Sequence, residues 1–214
     1  MRFVHKMQGD NVKSRIVLRD IKRSQPEGGE LFASTPSLAS FRLHFTLSSL
    51  ELNLMLQECG SSGEFVEVLG DIGQAFVHAN IDQDIYVWPP EAVRGVEVTI
   101  DGKKVTLSPE VPWKLRKALY GYRKSPMLWQ AHLAHIVTER VKLQRSAIDT
   151  STYFDADRKV RLFVRVDDLA LAGRVREVNR VLKLMEETLT VKKVVRPHCE
   201  DQERIPGHPQ QGHR

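Results

Sequence analysis

Two places in the chain set carboxylates at the end of an apolar run. Asp71 closes EFVEVLG, and Asp167 and Asp168 stand side by side between FVRV and LALAG. Unpaired charge next to buried strands is costly, so a compensating partner is expected. Two-metal phosphoryl or nucleotidyl transfer needs acids delivered from separate rigid elements to one sheet edge, around ions about 3.5–4 Å apart. Mg²⁺ takes oxygen ligands, and its charge would offset the carboxylates. Plainer readings exist: Asp167-Asp168 as the polar tip of a hairpin, and Asp71 as a strand-end acid capping the next turn. The metal reading requires Asp71 and Asp167 on the same side of the sheet.

Other metal chemistry has little support. His198, Cys199 and His208 fit no structural zinc spacing. Cys59 and Cys199 lie far apart without a CxxC, which points to a reduced, intracellular setting. No apolar run approaches the length of a membrane span, and MRFVHKMQGD lacks the apolar core of a signal peptide.

The elements that would position these acids follow from periodicity. Strands are expected at 11–22, 64–71 and 85–88, and VEVTIDGKKVTLS (96–108) is a hairpin about Asp101-Gly102. Thr35-Pro36 and Ser125-Pro126 each pair a cap with proline, which starts helices over 36–56 and 126–142. The second carries a stripe of Trp129, Leu133 and Val141. TYFDADRKVRLFVRV is a hairpin, LALAG a strand, 175–189 a helix and TVKKVV (190–195) a last strand. Helices set against mostly antiparallel strands indicate an α+β class. The tail from Arg196 has no periodicity and reads as disordered.

At 214 residues the length suits one sizeable domain. The net charge of +5 is uneven. Residues 1–25 hold seven basic side chains against two acidic ones. Lys114, Arg116, Lys117, Arg123 and Lys124 fall in a stretch, 111–138, without Asp or Glu. Both zones are candidate polyanion-binding surfaces, and either is equally a solvated face.

The neighbours of the acids add a resemblance. DIGQAFVHA (71–79) followed by DIYVWPPE (84–91) resembles the first catalytic motif of reverse transcriptases of copia-type LTR retrotransposons. VPWKLRKALYGYRKSPMLW (111–129) is similar to the family's K-L-x-K-x-L-Y-G-L-K-Q-S-P-x-x-W, and VDD at 166–168 to the end of its Y-V-D-D. KSRIVLR (13–19) and FASTP with FRL resemble its upstream blocks. The blocks keep family order over residues 11–195.

That resemblance implies a right-hand polymerase fingers and palm, with an antiparallel sheet and helices packed on one face. Residues 1–10 would be an N-terminal extension, 11–195 the reverse transcriptase domain and 196–214 an unrelated tail. Asp71, Asp167 and Asp168 match the catalytic aspartates that hold two Mg²⁺, the first two carrying most of the coordination. Phe76 matches the steric gate against a 2′-hydroxyl. Tyr120, Gly121, Ser125 and Pro126 match the segment lining the incoming nucleotide and template base. Lys13 and Arg15 match basic positions on the triphosphate. The implied partners are an RNA or DNA template–primer and a dNTP, with no membrane, and with further domains of a Pol polyprotein.

The departures are specific. Arg165 stands where the family usually has Tyr, and Gly70 replaces a large apolar residue. The resemblance stops before the primer-gripping hairpin, thumb and RNase H. Two functions therefore stand open: an RNA-directed DNA polymerase module, and a catalytically inactive relic that at most binds nucleic acid.

Overall fold

The computed structural model describes residues 1–19, 36–59, 65–93, 95–108 and 110–195. The tail 196–214 lies outside them, as does the end of the strand expected over 11–22. The chain opens with β1 (Arg2–Gln8) and β2 (Asn11–Val17), paired antiparallel across a Gly9-Asp10 turn. Gly9 sits at φ +60, the left-handed conformation a two-residue hairpin needs at its first position. The segment set apart in the sequence as an extension therefore supplies half of a hairpin.

Helix α1 (Leu38–Cys59) follows. The Ser37 hydroxyl accepts a 2.9 Å hydrogen bond from the Ser40 amide and so caps it; Thr35, the cap expected from the sequence, lies outside the described residues. Next come β3 (Phe65–Ile72), the single turn α2 (Ala75–His78) and β4 (Tyr86–Val87). β5 (Glu97–Ile100) and β6 (Lys103–Thr106) form the expected hairpin. Asp101 at φ +51 and Gly102 at φ +77 give it a type I′ turn. β7 (Trp113–Lys114) pairs with β4.

α3 (Ser125–His135) continues into π-helical turns over Ile136–Val141. β8 (Gln144–Arg145), β9 (Thr152–Asp155), β10 (Val160–Arg165) and β11 (Asp168–Arg174) come next. α4 (Val175–Glu186) and β12 (Val191–Val195) complete the described chain. Among the described residues no helix is long and apolar enough to cross a membrane.

Six strands make one antiparallel sheet in the order β12-β3-β11-β10-β9-β8. Strand alternation sorts its side chains. Val66, Val68, Leu162, Leu169 and Leu171 are buried against Trp129, Leu133 and Val137 of α3 and its π-helical extension, and against Val178, Leu182 and Met185 of α4. The α+β class holds, and α3 and α4 share one face as expected. α1 takes the other face: Phe41 meets Phe163 edge-on at 5.7 Å, and Arg161 bonds Glu51 at 2.8 Å. Gly70 does not loosen β3, because Leu169 of the neighbouring strand fills the space its side chain would need.

A smaller cluster of Leu18, Leu115 and Tyr122, with Ile85, Val87 and Leu119 against it, joins the N-terminal hairpin to the β4–β7 ribbon. The Leu18 amide donates to the Tyr120 carbonyl at 2.8 Å. Gly121, at φ +86, makes that approach possible: a Cβ there would strike the Leu18 carbonyl oxygen.

Candidate active site

The sequence brings its acids to one sheet edge through two strand ends. Asp168, the first residue of β11, lies directly opposite Asp71 in β3. Asp167 occupies the two-residue turn between β10 and β11, and its carbonyl accepts the Ile72 amide at 2.7 Å. Residues opposite one another in a sheet share a face, so Asp71 and Asp168 point the same way. Asp71 and Asp167 also line one cleft of ≈ 650 Å³. Both acids therefore open onto the same cleft.

The same register adds two cations: Lys192, which the sequence reading missed, and Arg165, noted there as a departure. Lys192 of β12 stands opposite Asp71, and Arg165 of β10 stands opposite Asp168. Across four strands the row reads Lys192, Asp71, Asp168, Arg165, with two acids bracketed by two bases. Lys192 lines the cleft, and its chain passes within 2.8 Å of where a Cβ on Gly73 would lie. Burial, with Asp167 and Asp71 alongside, pushes the Asp168 carboxyl above the usual carboxylate range, and Arg165 opposes that rise.

These observations bear on whether the residues suit a divalent cation. The donors are hard carboxylate oxygens, and their mutual repulsion is what a cation relieves. Among the described residues no three acidic, His or Cys side chains are gathered closely enough to hold an ion as they stand. The donor set fits Mg²⁺ in its chemistry.

The far wall of the cleft belongs to β2. Lys13, Ser14, Arg15 and Ile16 all line it, together with Tyr120. The Arg15 guanidinium lies 4.9 Å from the Tyr120 ring centroid, a cation–π distance. Phe76 also meets Tyr120, edge-on, with centroids 4.9 Å apart. The half-buried Phe76 is thus braced by Tyr120 and by the core, five residues beyond Asp71.

The expected nucleic-acid residues divide. Arg116 and Lys117 are exposed, although Lys117 donates to the His78 carbonyl at 3.0 Å. Lys114 is paired with Asp84 at 2.7 Å and Lys124 with Asp82 at 3.0 Å, so part of their charge is already answered. Arg123 is half-buried. Ser125 is buried and its hydroxyl donates to the Leu119 carbonyl at 2.7 Å. Pro126 lies in the first turn of α3. Ser125 and Pro126 therefore build the start of a helix, and the exposed Arg116 and Lys117 lie upstream of them.

Comparison with known proteins follows from this geometry. A family model described as reverse transcriptase (RNA-dependent DNA polymerase) matches residues 5–196. The chain is 28% identical over 180 residues to a retrovirus-related Pol polyprotein from transposon TNT 1-94 of Nicotiana tabacum, covering 80% of this chain and 12% of that protein. It is 27% identical over 105 residues to a putative transposon Ty5-1 protein of Saccharomyces cerevisiae, covering 48% of this chain and 30% of that one. Among solved structures it is similar to telomerase from Candida tropicalis, with a TM-score of 0.43 and 10% identity over 80% of this chain and 37% of that chain. Telomerase from Candida albicans, solved with a fragment of telomeric RNA, gives a TM-score of 0.41 at 13% identity, over 79% of this chain and 32% of that chain.

Proposed function

The chain belongs to the reverse transcriptase (RNA-dependent DNA polymerase) family, and from that premise we propose that it is the fingers and palm of a copia-type Pol polyprotein, carrying out RNA-templated nucleotidyl transfer. The observation that carries the reading is the junction of Asp71, Asp167 and Asp168 at one edge, the first two lining a cleft together with Lys13 and Arg15. Acids and bases together in one cleft suit a nucleoside triphosphate and its cations.

In this reading Asp71 and Asp167 hold two Mg²⁺, with Asp168 in support. When bound, such ions stabilise charge on the attacking and leaving oxygens of an in-line displacement. The chain's own work is positioning and electrostatics. Lys13 and Arg15 take the triphosphate, and the Arg fork matches phosphate oxygens. Phe76, held by Tyr120, sets a hard floor beneath the sugar. Lys192 supplies positive charge next to Asp71. Arg116 and Lys117, with the basic N-terminal hairpin, hold template–primer through its phosphates.

Primer extension on an RNA template with Mg²⁺ and all four dNTPs tests the reading. Templated extension supports it. Salt-sensitive duplex binding without extension under any divalent cation would instead identify a catalytically inactive relic.

A further inference from the structure

The turn that carries Asp167 is held in a conformation its sequence disfavours. Val166 has φ +57, which a β-branched residue rarely adopts. Side-chain packing does not impose it, since Val166 is 49% exposed; the two-residue connection between Arg165 and Asp168 asks for it at its first position, and a β-branched residue there needs holding. A cavity of ≈ 40 Å³ also lies beneath the turn, between Val166, Trp129, Pro126 and Ser151. At Val166 the turn is reached by a hydrogen bond from α3: the Trp129 indole N–H donates to the Val166 carbonyl at 2.6 Å.

Trp129 is 2% exposed, and a buried indole N–H needs an acceptor. The acceptor belongs to the peptide group joining Val166 to Asp167. The next peptide, after Asp167, is held by the Ile72 amide at 2.7 Å. Asp167 therefore has both flanking peptide planes fixed, one by α3 and one by β3. α3 is itself anchored at its start by the Ser125 hydroxyl on the Leu119 carbonyl.

We propose that Trp129 is a positioning residue for the metal site: its indole N–H pins Val166 in the left-handed region and so aims the Asp167 carboxylate. The proposal rests on the metal reading of Asp167 given above. It assigns Trp129 a directed contact in addition to its place in the apolar stripe of α3.

The test replaces Trp129 with β-(benzothiophen-3-yl)alanine, which keeps the ring shape and removes the donor, and uses Trp129→Phe as a second variant. Mn²⁺ affinity is read by electron paramagnetic resonance, and the Val166 backbone by its amide coupling constant in solution. Loss of the donor is expected to weaken Mn²⁺ binding about 10-fold, as for other groups that orient a metal ligand, and to shift the Val166 coupling. In a Val166→Gly background, where a positive φ carries no steric cost, the same replacement is expected to cost less than about twofold.

Unchanged Mn²⁺ affinity in the isosteric variant overturns the proposal. So does a loss that persists undiminished in the Val166→Gly background, which would make Trp129 a packing residue only. A parent chain that binds no Mn²⁺ sinks the metal reading instead. The coupling then decides: if the donor's removal leaves Val166 where it was, Trp129 does not set the turn.

Discussion

The Ile72 amide donates to the Asp167 carbonyl at 2.7 Å. This bond ties the end of β3 to the β10–β11 turn, so the residue beside Asp71 holds the backbone of Asp167. Two segments far apart in the chain become one rigid edge, with Asp168 opposite Asp71 completing it. The proposed metal site, the proposed nucleotide cleft and the charge row all depend on that edge.

Like charges directly opposite in a sheet destabilise it. Asp168→Asn is therefore expected to raise stability at neutral pH by no more than about 1 kcal/mol, because both carboxylates are partly exposed and water screens them. The sign of the pH dependence follows from the raised carboxyl. Between the ordinary value of 3.8 and the raised one, the folded state holds a proton that the unfolded state has lost. Stability from this group thus falls as pH rises through that window. Urea titrations should show the Asn variant ahead at neutral pH and level with the parent below the window.

Phe76 and Tyr120 form one aromatic unit. Phe76→Val removes the ring beneath the sugar and is expected to raise ribonucleotide over deoxyribonucleotide incorporation by about 10–100-fold. Single-nucleotide insertion kinetics give the ratio. An unchanged ratio would remove Phe76 from the nucleotide site.

Lys192 faces Asp71 from β12. Removing its charge should act in opposite directions on two ligands. Lys192→Met is expected to tighten Mn²⁺ about threefold, because a competing cation is lost. The same change should raise the KM for nucleotide about 10-fold through loss of a phosphate partner. Both ligands binding more tightly, or both more weakly, would contradict the charge row.

On the face that α1 covers, burial and the neighbouring Arg161 guanidinium lower His44 to about 4. At neutral pH its ring, 3.6 Å from Glu67, is uncharged, so the contact is not an ion pair. The unfolded chain takes up a proton near pH 6.5 and the folded one only near 4. Stability is therefore present above pH 6.5 and is lost as pH falls toward 4, by up to about 3 kcal/mol. His44→Phe should flatten that part of the stability profile, as followed by thermal unfolding at stepped pH.

Much of the edge was legible in the chain because it is written locally. Alternation marks VRLFVR and LALAG as strands, and an Asp pair between them must sit at or beside a tight turn. The split between Asp167 in the turn and Asp168 on the strand depends on register, which periodicity alone does not set. Lys192 was illegible for the same reason. Nothing in TVKKVV says that β12 lies beside β3.

The role of Trp129 stayed hidden because spacing 129, 133 and 141 satisfies a buried stripe. Periodicity reports which face is covered and not where an indole N–H points. Charge was the least reliable guide. Lys114 and Lys124 read as free cations in a run without acids, yet Asp84 and Asp82, well upstream in the chain, meet them in space. α1 went to the opposite face because its aromatic residues find Phe163, whose partners a one-dimensional pattern does not name.

The central claim is that nucleotidyl transfer runs on Asp71 and Asp167. The most direct measurement is single-nucleotide primer extension on an RNA template with Mg²⁺, comparing the parent chain with Asp71→Asn and Asp167→Asn after circular dichroism has shown all three folded. The account predicts templated extension by the parent and a rate at least about 100-fold lower in each variant, the scale seen when charge stabilisation of a transition state is removed. Extension at the parent's rate in either variant would contradict it.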